Sequence, residues 1–142
     1  MKYETAKLSG AMLDLLVAMI SKMPFNHITD VTGLGHSENG CCYAARPVGD
    51  GRRFEILPFR PSVLWADGGP IIEREGIAIE LNDDFRDVGR SDISGSGTAW
   101  HASFAHDARA DGCQRSFATG PTPLSAAMRV FVIGTIGDTV EL

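Results

Sequence analysis

The stretch Thr122 to Thr135, TPLSAAMRVFVIGT, constrains the fold more than any other part of the chain. Thr122 can cap a helix with its hydroxyl, and Pro123 brings its ring-fixed φ to the first helical position, where a missing N–H costs nothing. Leu124, Ala127, Met128, Phe131, Val132 and Thr135 then recur at three and four residues, one stripe of a 3.6-residue period. The opposite side is hardly less apolar: with Ala126, Val130 and Ile133 there, Ser125 and Arg129 are the only polar groups in three turns. Gly137 stands where such a helix would close. A helix of this kind is buried on two sides, so the rest of the chain must cover both.

A second helix is expected from Gly10 to about Met23. Ser9 is placed to cap it, Leu8 and Leu13 to staple its start, and Pro24 to stop it. Its inner stripe reads Met12, Leu15, Leu16, Met19 and Met23, widened by Leu13, Val17 and Ile20. Two broad apolar helix faces are buried most economically by a sheet that both helices cover while touching each other.

Strand signals supply that sheet. Lys2 to Lys7 has the content of a first strand, and Ile77, Ile79 and Leu81 alternate with Ala78 and Glu80. Thr98 to His106 places Trp100, Ala102 and Phe104 on one face, and a turn at Asp111-Gly112 leads back through Gln114 to Ala118. Cys42 to Arg46 and Arg53 to Leu57 read as a peripheral hairpin about the turn Val48-Gly49-Asp50-Gly51. Much of 25–57 is otherwise interrupted by glycine, and 82–97 reads as a polar surface loop. Pro58 and Pro61 bracket Phe59 in an extended path. The sum predicts one α+β domain over 1–142: a mostly antiparallel sheet with two main helices packed on one face.

Trp65 to Gly76, WADGGPIIEREG, is the other informative stretch. Asp67-Gly68-Gly69 has the chemistry of a tight turn, Pro70 that of a first helical residue, and Gly76 that of a left-handed cap. Two glycine amides at a helix start can receive a carboxylate or phosphate, with Arg74 one turn on to add a guanidinium fork. The same glycines also serve backbone geometry alone, and Trp65 can plug a core. The candidate ligand- or partner-binding residues are therefore Trp65, Asp67, Gly68, Gly69, Pro70, Glu73 and Arg74.

The remaining residues argue against familiar chemistries. Cys41, Cys42 and Cys113 with His27, His36, His101 and His106 lack zinc-ligand spacing, and adjacent cysteines chelate one tetrahedral ion poorly. Asp83, Asp84, Asp87 and Asp92 miss the pattern of a calcium loop. Gly33-Leu34-Gly35 and Ser94-Gly95-Ser96-Gly97 match neither a dinucleotide nor a phosphate loop. His101 and His106 beside Asp107 could form an acid–base pair, as any two of four histidines could by chance. No catalytic residue, metal or cofactor is expected.

The balance of 18 acidic against 13 basic side chains, a net charge of −5, disfavours nucleic acid and anionic lipid. Two adjacent cysteines among three suggest a reducing cytoplasm, and MKYETAKLSG shows no apolar run behind its charge. No stretch has the length of a membrane span. The apolar strip Ala126, Val130 and Ile133 extends beyond one packing face, which leads to an expected homodimer.

Three blocks together resemble a family: LSGAMLD at Leu8 to Asp14, FRPSVLWADGGPIIEREG at Phe59 to Gly76, and GPTPLSAAMRVFVIGTIGDTVE at Gly120 to Glu141. They are similar to the NinX-like proteins of lambdoid bacteriophages and prophages, a family of unknown function. Where that family has a polar Thr-Asp pair before the tryptophan, this chain has Val63 and Leu64. The resemblance implies a phage or prophage accessory protein in bacterial cytoplasm, and supplies no reaction or catalytic residue. A non-catalytic module that binds a host or phage protein is the expected role. The alternative is a small enzyme or ligand-binding protein using the Trp65 to Arg74 turn.

Overall fold

The computed structural model describes residues 2–22, 27–29, 41–50, 52–81, 100–105 and 115–141. Along the chain run β1 (Lys2–Glu4), a 3-10 turn (Thr5–Lys7), α1 (Gly10–Ile20), β2 (His27–Thr29), β3 (Cys41–Val48) and β4 (Arg53–Pro58). Then follow α2 (Trp65–Glu75), β5 (Ala78–Leu81), β6 (Trp100–Ala105), β7 (Arg115–Gly120), α3 (Pro123–Ile136) and β8 (Thr139–Glu141). The architecture is α+β with every described strand pair antiparallel, as expected. The strands divide into three small sheets, ordered β1-β8, β2-β3-β4 and β5-β6-β7.

α3 is the centre of the core. Its cap is reciprocal: the Ser125 N–H donates to the Thr122 hydroxyl at 3.1 Å, and the Thr122 N–H donates to the Ser125 hydroxyl at 3.1 Å. Serine here takes the place that glutamate or glutamine usually holds in this box. Gly137 closes the helix at φ 103°, its N–H donating to the Ile133 carbonyl at 2.9 Å. Leu124 to Met128 and Val130 to Val132 are all buried, so both sides of the helix are covered. Phe131 meets Phe104 of β6 edge to face, with ring centres 5.8 Å apart. The half-buried Arg129 reaches past this packing and donates to the Leu8 and Thr119 carbonyls at 2.8 and 2.9 Å.

The burial of Ala126 and Val130 within the chain, with Ile133 packed against the same core, takes away the free strip on which the dimer expectation rested. α1 is also rotated from its expected phase. Leu13, Leu16 and Val17 form the buried centre while Met19 is 49% exposed, and the described helix ends at Ile20. Ser9 makes no side-chain cap. The first strand is shorter than expected because Thr5 turns inward, fully buried, and its hydroxyl donates to the Gly137 carbonyl at 2.8 Å. Both prolines of the β3–β4 hairpin, Pro47 and Pro58, occupy register positions opposite Phe54 and Tyr43, where the ladder does not need their missing N–H.

Candidate functional site

Phe59 to Arg74 is a continuous run in which buried anchors alternate with exposed apolar groups. Phe59 and Pro61 are buried, and the chain then turns, the Val63 and Leu64 amides both donating to the Arg60 carbonyl at 3.0 and 2.8 Å. Two carboxylates from two helices hold this turn. Asp14 of α1 accepts the Ser62 N–H at 2.8 Å, and Asp67 of α2 accepts the Arg60 N–H at 2.9 Å. The two bonded amides flank Pro61, so the turn is gripped on either side of a residue that has no N–H of its own.

Asp14 is 2% exposed, and burial pushes its carboxyl up to about 6, against the pull of the Ser62 hydrogen bonding and the Arg60 charge. Cys42 of β3, fully buried beside it, has its thiol pushed up to about 12 by burial first and by the nearby Asp14 charge second. Such a thiol stays protonated and is a packing group.

The glycine pair is not a tight turn. α2 begins at Trp65, so Asp67, Gly68 and Gly69 lie in its opening turns and Pro70 lies inside the helix. The held geometry of the preceding turn starts the helix before the proline. The Asp67 and Gly68 amides donate to the Leu64 carbonyl at 3.1 and 2.9 Å, so the Gly68 N–H is not offered to an anion. Asp67, at the positive end of the helix, complements its dipole from within the chain. Gly76 caps the helix at φ 65°, as expected.

The two glycines differ. A Cβ on Gly68 would strike the Pro61 carbonyl and come within 2.7 Å of the Leu124 Cδ2, so the absence of a side chain lets α2 seat on the turn and on α3. On Gly69 the nearest neighbour would be Cε3 of Trp65 at 3.9 Å, an ordinary contact. The indole therefore lies alongside Gly69, itself 56% exposed, with Val63 at 52% and Leu64 at 43% beside it in sequence. Pro70, Glu73 and Arg74 are exposed, and Arg74 is paired with its neighbour Glu75 at 2.8 Å. Asp67 and Gly68 are thus scaffold, whereas Trp65, Gly69, Pro70, Glu73 and Arg74 face outward.

Sequence reasoning missed Asp14 and Ser62. The signal was present: Asp14 is the lone charged residue in the helix GAMLDLLVAMI. Of the residues weighed as a chance acid–base pair, His101, His106 and Asp107, the last two lie outside the described residues. His101 has a different partner, Glu80 Oε1 at 3.2 Å from its Nδ1, and its ring stacks on Phe117 at 5.5 Å. His36, Cys113 and the acidic loop 83–92 also lie outside the described residues. Among the described residues no three metal-ligating side chains gather, and no helix is long and apolar enough to cross a membrane. An open groove of ≈ 540 Å³ between the ends of α1 and α3, lined by Leu16, Met19, Ile20, Ile136 and Val140, is apolar except for Lys22, Glu141 and two threonines.

No curated protein matches the chain. A family model described as Bacteriophage P22, NinX matches residues 4–135, a span that contains the Asp14 anchor, the Arg60 to Ser62 turn, α2 and nearly all of α3. The chain belongs to the bacteriophage P22 NinX family.

Proposed function

We propose that this protein is a non-catalytic module of the bacterial cytoplasm that binds a host or phage protein through the start of α2. The observation that carries this reading is the exposure of Val63, Leu64 and Trp65 in succession, immediately beside the buried Pro61, Ser62, Asp67 and Gly68. The apolar groups are held outward by an anchored backbone. Preorganisation lowers the ordering cost of association, and an exposed tryptophan with aliphatic neighbours has the composition of an interface hot spot. Glu73 and Arg74 supply a polar rim one to two turns on.

Binding is favoured over catalysis because the two described acidic groups with strongly raised pKa values, Asp14 and Cys42, are 2% and 0% exposed. A substrate has no access to them. The ligand-binding alternative loses its main physical support, since the Gly68 amide is bonded within the helix. The unpaired thiols Cys41 and Cys42 fit a reducing compartment, and the net charge of −5 speaks against a phosphate backbone as the partner.

A photo-crosslinking amino acid placed at the exposed position 66, beside an intact Trp65, in phage-infected cells tests the reading, with the exposed position 6 as control. A discrete protein crosslinked from 66 and not from 6 supports it. The same products from both positions, or none from 66, would reject it.

A further inference from the structure

We infer that the open edge of β4 is the surface through which two copies of this chain pair, antiparallel, into one continuous sheet. The inference stands on β4 and is independent of the reading of α2. β4 closes the order β2-β3-β4, and among the described residues it pairs on one side only. The Phe59 N–H donates to the Cys42 carbonyl at 2.8 Å, which fixes the phase of the ladder. Residues 53, 55 and 57, opposite Val48, Arg46 and Ala44, turn their backbone groups toward β3. Those of 54 and 56 therefore point to the open edge.

Natural edge strands are usually blunted by lysine, proline, bulges or a cover. Here Pro58 blunts only the far end, while Ile56 on one face and Leu57 on the other are 56% and 40% exposed. The strand thus exposes an apolar side chain on each face, and among the described residues no strand pairs with the outer side of residues 54 and 56. What it fits is set by its charges. With a two-fold axis at residue 54, residue 54 pairs with its own copy, the residue 56 amide meets the residue 52 carbonyl, and Arg53 stands across from Glu55 of the second copy, twice. That charge pair falls at the non-hydrogen-bonded position, where side chains across a ladder come closest. Moving the axis by one residue sets Arg53 against Arg53 or Glu55 against Glu55. Moving it farther toward Pro58 spends a missing N–H at the edge. Among the registers that the backbone phase permits, the axis at residue 54 is the one that makes Arg53-Phe54-Glu55 complementary to itself, which selects a second copy of this chain as the occupant.

Light scattering with sedimentation on the purified full chain tests the pairing. The wild type is expected to be a dimer at about 100 µM. Arg53→Glu and Glu55→Arg should each weaken association about tenfold, and the double exchange should restore it, since opposite charges then face each other again. Ile56→Pro removes an amide that points only to the open edge and should give a folded monomer by circular dichroism. Should that variant fail to fold, the charge exchange decides alone. A wild-type monomer at that concentration, single reversals without effect, or a double exchange that fails to restore the dimer would overturn the inference.

Discussion

Asp14 carries the clearest consequence at the scale of single residues. Its carboxyl, ordinarily near 3.8, titrates at about 6 in the folded chain, chiefly because it is buried. The folded state then holds a proton that the unfolded state has released between those values. Its contribution is fully present below about pH 4 and is lost as pH rises through about 6, an effect on the order of 3 kcal/mol. Asp14→Asn keeps an acceptor for the Ser62 N–H and cannot ionise. Urea unfolding should show this variant at least as stable as wild type at pH 8, with a flatter dependence between pH 4 and 7. A loss at pH 8 with an unchanged slope would mean that the carboxylate is stabilised by more than the turn. Phe131, 3% exposed and edge-on to Phe104, makes the plainer prediction: Phe131→Ala should cost about 3 to 5 kcal/mol in chemical denaturation.

Among the elements, α2 separates what local sequence states from what it cannot. The glycine pair gives opposite predictions for two adjacent and chemically identical substitutions. Gly68→Ala forces a methyl into the Pro61 carbonyl and should cost roughly 1 to 3 kcal/mol. Gly69→Ala meets only an ordinary contact with the Trp65 ring at 3.9 Å in a helical backbone and should stabilise by up to about 1 kcal/mol. Thermal melts of the two variants, shifting in opposite directions, check the assignment; two equal losses would restore the tight turn. α3 was legible because its cap, period and closing glycine are all local to Thr122–Gly137. The hairpin β3–β4 was legible from its turn. The start of α2 was not, because proline commonly opens helices and Asp-Gly-Gly commonly makes turns. What moved the start to Trp65 is the turn held by Asp14, 48 residues from Ser62 in sequence. The phase of α1 was misjudged for a related reason: with apolar residues nearly all round, only the destination of Asp14 fixes the rotation.

For the molecule as a whole, α1 and α3 share one core with Cys42 and Ala44 of β3 and Ala102, Phe104 and Ala118 of β6 and β7. The outer surface is where the candidate functions concentrate. Of the nine exposed large apolar side chains among the described residues, five fall between Ile56 and Trp65. The list of site residues named from sequence runs from Trp65 to Arg74, both of them exposed. It gave Asp67 and Gly68 a contact role that their burial turns into a supporting one, and it stopped short of Val63 and Leu64, since exposure is a property of packing that no local pattern states. Whether Trp65 belongs to a recognition surface on an anchored scaffold is decided by Trp65→Ala measured twice, for stability and for recovery of the crosslinked partner. The expected result is an unfolding free energy within about 0.5 kcal/mol of wild type and loss of the partner. A stability loss beyond about 2 kcal/mol with the partner still recovered would show that Trp65 is a core residue, and would contradict it.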